Sequence, residues 1–166
     1  MTRIVFEPLH EGVEPPARAT AGSAGYDLRA YLVRRTLTCS DGTTQWTVET
    51  GEGKDAAVAL QPGQMVLVPL GFRARLPEGF EAQVRPRSGA SFKRGIVIPN
   101  APGTIDADYP DEWMVPVRNG TQVPMRIEHG ERIAQVILAR YEVMDWAEGQ
   151  VARTTDRAGG FGSTGH

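Results

Sequence analysis

The residues best suited to chemistry lie in one window, NAPGTIDADYPDEW, from Asn100 to Trp113. Asp106 and Asp108 stand two apart, a spacing that on an extended strand puts both carboxylates on one face. Acids so placed repel each other unless a metal, a cation or a shared reaction offsets the cost. Tyr109 follows with a flat ring able to stack on a planar or ring-shaped ligand. Pro102-Gly103 marks a turn just upstream. The plainer reading of the same window is an exposed hairpin with acidic decoration.

A second cluster is basic. RPRSGASFKRGI, from Arg85 to Ile96, sets Arg85, Arg87, Lys93 and Arg94 around Ser88-Gly89. Arg87 offers planar donors suited to phosphate oxygens, Ser88 a hydroxyl, and Gly89 an unobstructed backbone amide. The GxxxxGK[ST] pattern of a P-loop is absent. A basic turn that balances nearby acids explains the stretch equally well. Gln135 is a polar residue inside the apolar run IAQVIL, placed either to satisfy a backbone group or to reach a ligand. Asp27 alone reads as a strand-edge acid.

The C-terminal stretch, RTTDRAGGFGSTGH from Arg153 to His166, places Phe161 among Gly159, Gly160, Gly162 and Gly165. A purely solvated terminus has no need of that ring. Glycines that let successive amides point inward, beside serine, threonine and arginine, form an anion nest. The expectation is a flexible flap over 153–166 that orders on a phosphorylated ligand, attached to a β domain over 1–152.

These groups need a scaffold, and the punctuation points to strands. The chain has 166 residues, 19 glycines and 12 prolines, and little helical periodicity. Short alternating runs between turns predict a β-sandwich or barrel in one domain. RIVF, YDLRA, QWTVE, MVLVP, EAQVRP, MVPVRN and IAQVIL all read as strands; for IAQVIL, the β-branched Ile133, Val136 and Ile137 decide against a helix. QWTVE and AAVAL, around the TGEGKD turn, predict a hairpin within a 31–59 insert, with Trp46 as its packing anchor. A short helix is expected over 144–150. The net charge of −2 argues against broad binding to nucleic acid or anionic membrane. The single cysteine, Cys39, excludes an intrachain disulfide, and no leader-like run opens the chain, so a cytoplasmic location is expected.

Five stretches in order, AGSAGYDLRA, RPRSGASF, NAPGTIDADYPDE, GERIAQVIL and RAGGFGSTG, resemble the motifs of the trimeric dUTP diphosphatase (dUTPase) family. The resemblance implies an all-β, jelly-roll-like homotrimer whose active sites lie at subunit contacts. It implies hydrolysis of dUTP to dUMP and diphosphate with Mg2+ held by substrate phosphates and water, without a direct protein ligand. By the same resemblance Asp106 is the general base and Tyr109 packs under deoxyribose. Asn100 with Gly103, Thr104 and Ile105 reads uracil. Arg87, Ser88, Gly89 and Gln135 contact phosphates, and Asp27 assists. Arg157, Phe161, Gly162, Ser163 and Thr164 belong to the flap. Three features depart from the pattern. Only Ala158 separates Arg157 from the glycines, which makes Arg153 the alternative γ-phosphate contact. Pro110-Asp111 follows the tyrosine where the family carries Arg-Gly or a similar pair. The 31–59 stretch is long, and as decoration, trimer contact or a surface for a protein partner its role is open.

Overall fold

Period-two alternation builds this molecule, because it puts Leu37 and Cys39, or Val66 and Val68, on one buried face. The computed structural model describes residues 2–156. Its strands are β1 Val5–Pro8, β2 Ala17–Arg18, β3 Tyr26–Arg29, β4 Thr36–Ser40, β5 Gln45–Glu49, β6 Ala57–Leu60, β7 Met65–Pro69, β8 Phe72–Arg75, β9 Phe80–Pro86, β10 Ile96–Val97, β11 Gly103–Ile105, β12 Met114–Asn119, β13 Met125–Glu128 and β14 Arg132–Arg140. The α-helix α1 Ser88–Arg94 and a 3-10 turn at Gly53–Asp55 interrupt them. No helix among the described residues is long and apolar enough to cross a membrane.

Two five-stranded antiparallel sheets carry the fold. One runs β11-β9-β14-β3-β2, the other β10-β12-β7-β4-β5, and the pairs β1-β8 and β6-β13 complete it. A single core joins the sheets, with Leu28, Ala82, Val84, Ile133 and Val136 from the first and Leu37, Cys39, Val66, Val68, Val115 and Val117 from the second. The all-β expectation therefore holds.

Four local expectations do not. The QWTVE strand forms as β5, yet its partner is β4, not the AAVAL run. AAVAL becomes β6 and pairs with β13 instead. The true turn is at 41–44, where Asp41 Oδ1 accepts the backbone N–H groups of Thr43 and Thr44 and the Thr43 hydroxyl. Those donors, that of Thr44 foremost, pull the Asp41 carboxyl down to about 2. The 31–59 segment is also no appendage, since Leu32, Leu37, Cys39, Ala56 and Val58 all lie in the core. Trp46 packs against that core, as an anchor should.

The basic stretch is a helix rather than a turn. It holds no β-branched residue, and Gly95 closes it at φ 65, with its N–H bonded to Ser91. The 144–150 stretch, in contrast, has no helix and is exposed throughout. Ala17–Arg18, directly after Pro15-Pro16, forms a short bridge to β3.

Asn119 is the buried polar side chain that ties these layers together. Its Nδ2 donates to the carbonyls of Leu60 (3.0 Å) and Val123 (2.8 Å), and its Oδ1 accepts from Thr121 N (2.9 Å) and Oγ1 (2.8 Å). Asn119→Ala leaves the buried Leu60 carbonyl without this donor and frees the 121–123 turn, at a cost of about 2 kcal/mol. The urea midpoint at fixed protein concentration should fall accordingly, and an unchanged midpoint would show that this network does not hold the sheets.

Candidate active site

The first group of site residues forms along one row of the β9-β14-β3 sheet. Gln135 on β14 lies directly between Asp27 on β3 and Arg85 on β9. Arg87 follows β9 and folds back, so that its Nε meets Asp27 Oδ1 at 2.7 Å. Arg132 Nη1 reaches the other oxygen, Oδ2, at 3.1 Å. Arg87 Nη1 also donates to the Arg132 carbonyl at 3.3 Å. One carboxylate, largely shielded, thus orders two guanidinium groups. Paired this way, Arg87 has three-quarters of its side chain covered and its donors directed.

Gln135 is equally constrained. Its Nε2 donates to the Pro86 carbonyl at 2.9 Å. Its Oε1 lies 2.1 Å from where a side-chain carbon on residue 25 would stand, so only glycine leaves it room. Ser88 and Gly89, the first residues of α1, are exposed beside Arg87.

The second group sits on and beyond β11. Gly103 is opposite Val84 and Ile105 opposite Ala82 on β9. The Asn100 side chain folds over Gly103, its Nδ2 2.9 Å from a would-be side-chain carbon there. After Ile105 the chain leaves the strand. Tyr109 N bonds the Asp106 carbonyl at 3.2 Å, which makes 106–109 a turn. Asp106 and Asp108 therefore do not share the face of a strand, as their spacing suggested; both are exposed, with Ala107 packed inward between them. Asp106 and Tyr109 border an open groove with Val5, Glu7, Arg73, Glu78 and Tyr141. Arg73 is engaged by Glu7 through two bonds of 2.7 and 2.8 Å. The same bonds hold the Glu7 carboxyl below its usual range.

The groups are well separated within one chain. Asp106 and Arg87 lie beyond opposite ends of the Ala82-to-Pro86 run of β9, which spans roughly 13 Å at about 3.3 Å per residue. Of the flap residues, Arg157, Phe161, Gly162, Ser163 and Thr164 lie outside the described ones; Arg153 lies within them and is exposed.

Arg132 is the site residue that sequence reasoning missed. It stands three before Gln135, and odd spacing on a regular strand means opposite faces. A register shift between Arg132 and Ala134 breaks that alternation and lets both side chains work at the Asp27 row.

The fold is an all-β sandwich with an arginine-carboxylate cluster on one sheet and exposed acids beside a tyrosine on a turn at its edge, and the relatives that share it are hydrolases. The dUTPase family profile matches residues 54–165, and the chain belongs to that family. It is 45% identical over 155 residues to the deoxyuridine 5'-triphosphate nucleotidohydrolase of Rhizobium rhizogenes, covering 93% of this chain and 86% of that one. The Streptococcus mutans dUTPase structure is similar at 26% identity and a TM-score of 0.65, over 86% of this chain and 99% of the other. A mutant dUTPase of phage phi11 of S. aureus, described with a structural Mg(II) ion, shares the fold at 17% identity and a TM-score of 0.70, over 92% of this chain and 99% of its own.

The Gly25 contact gives a direct check on the row. Gly25→Ala must displace the end of the Gln135 side chain, a flexible group, so the thermal midpoint should move by only a few degrees. Affinity for inorganic diphosphate should drop about tenfold, or ~1.4 kcal/mol. Unaltered diphosphate affinity in calorimetry would remove Gln135 from the anion site.

Proposed function

We propose that this chain hydrolyses dUTP to dUMP and diphosphate at sites shared between copies of a homotrimer. The observation that carries the reading is the division of the site: the phosphate-type cluster and the acid-tyrosine turn are both well formed, yet one chain holds them apart. Family membership supports the substrate, and the separation supports assembly from several chains.

In this reading Asp106 takes a proton from water, whose oxygen then attacks the α-phosphorus. The bond from that phosphorus to the bridging oxygen breaks, and diphosphate leaves. An exposed carboxylate open to water suits the task. Tyr109 packs under deoxyribose, where a 2′-hydroxyl finds no space. Asn100, Gly103, Thr104 and Ile105 read the uracil edge, and polar groups left unpaired by a wrong base discriminate strongly.

Arg87, Ser88, Gly89 and Gln135 receive phosphate oxygens and stabilise the charge that develops on them. Asp27 acts through Arg87 and Arg132 rather than on the substrate. Among the described residues no three His, Cys, Asp or Glu side chains gather to hold a metal, and Asp27 is committed to its arginines. In this reading Mg2+ arrives on the triphosphate and neutralises its oxygens. The segment 153–166 closes over the 1–152 body as the flap, with Arg157 or Arg153 at the γ-phosphate and Phe161 over uracil. Cytoplasmic dUTP removal of this kind limits uracil incorporation into DNA and supplies dUMP for thymidylate synthesis.

The reading is tested by diphosphate release from dUTP against dTTP, dCTP and UTP, with dUTP strongly preferred. Ammonia release from dCTP would replace it with a deaminase. Asp106→Asn should keep nucleotide affinity within a few fold while kcat falls by about 100-fold or more. A normal kcat would remove Asp106 as the base.

A further inference from the structure

The 106–112 turn is tied to the β4-β5 hairpin by a half-buried ion pair that the reaction scheme does not use. Arg35, just before β4, pairs through Nη2 with Oε2 of Glu112, and only 19% and 11% of the two side chains are exposed. The other Glu112 oxygen, Oε1, accepts the Gly71 backbone N–H at 2.8 Å. Both oxygens are therefore committed, one to each side of the turn's downstream end.

Arg35 is itself held firmly. Its backbone N–H donates to Thr50 Oγ1 at 2.9 Å, and its carbonyl accepts from Thr50 N at 2.9 Å. Its Nη1 lies 2.7 Å from His10 Nε2. The His10 ring stacks on Tyr31 at 4.3 Å between centroids, and Tyr31 meets His129 edge-on at 5.1 Å. This is a rigid mount for a guanidinium.

The turn needs such a mount. Upstream, Ile105 is fixed to Ala82 in one sheet. Downstream, Trp113 bonds Leu70 and Phe72 at 3.0 Å each. Between them Asp106, Asp108, Tyr109, Pro110 and Asp111 are exposed, and the Glu112 side chain is drawn inward. Tyr109 Oη also leans on the Glu112 carbonyl, at 3.4 Å. We propose that Arg35 and Glu112 are positioning residues that set the turn bearing Asp106 and Tyr109, which gives the 31–59 segment a role in the reaction. The proposal rests on the reading of Asp106 as base and Tyr109 as sugar platform. It acts through geometry: misplacing a reacting group by about 1 Å can cost on the order of 100-fold in rate.

The test compares Arg35→Met, Arg35→Lys, Glu112→Gln and the double variant Arg35→Met/Glu112→Gln. Glu52→Gln serves as a control, because Glu52 joins an exposed ion pair with Arg34 on the same segment. Hydrogen exchange at the 106–112 amides is read first, since it needs no activity. Arg35→Met should speed exchange there and leave the β9-β14 row protected. Its kcat on dUTP should fall by about 100-fold with KM changed far less, and the preference for dUTP over UTP should shrink. Arg35→Lys should recover part of each loss, and the double variant should be no worse than Arg35→Met, as expected of partners in one pair. Glu52→Gln should match the parent. Unchanged exchange at 106–112 in Arg35→Met, or a loss spread evenly over the whole sheet, overturns the proposal. Absence of dUTP hydrolysis by the parent protein would instead refute the function, with the exchange result still deciding the positioning claim.

Discussion

The ion cluster of Asp27 with Arg87 and Arg132 is the constraint on which the site depends. Two guanidinium groups repel each other unless an anion stands between them. Asp27 supplies that anion from β3, and strand pairing brings Gln135 to the same row. A register slip of β14 near Arg132 and the bare backbone at residue 25, which leaves room for the Gln135 amide, shape this row. A local irregularity and a glycine thus do for the site what regular sheet geometry does for the core.

The candidate base lies elsewhere in the chain. Asp106 is kept beyond the far end of the β9 run, on a turn pinned by Glu112 rather than within the sheet. What the chain separates, assembly would have to reunite. Among the described residues the two groups stand apart in one chain.

Much of this was legible in the sequence, for identifiable reasons. Strands such as MVLVP and IAQVIL announce themselves through alternation or β-branching; Arg87, Asp106 and Gln135 stood out as candidates by residue type, whereas Asp27 read as a plain strand-edge acid and was singled out only by the family resemblance. What escaped has equally physical causes. The helix Ser88–Arg94 is short and buries only Ala90, so no amphipathic pattern marks it; the Gly95 stop after Lys93-Arg94 was the available signal. The β4 strand, TLTCS, lacks flanking punctuation on its upstream side, and β5 was therefore paired with the wrong neighbour. Arg132 was hidden by a register shift that strict periodicity cannot express. The Arg35–Glu112 pair joins residues far apart in sequence, and nothing in either local stretch reveals it.

The central claim is that catalysis needs chemistry from two chains, and subunit complementation tests it most directly. Asp106→Asn and Arg87→Ala variants, each inactive alone, would be mixed after dissociation and reassembled. Shared sites predict that diphosphate release from dUTP returns in the mixture, because some sites then combine an intact Asp106 from one copy with an intact Arg87 from another. Activity that stays at the level of the separate variants, in a mixture shown to contain both chains in one assembly, would contradict the account and place the whole site within a single chain.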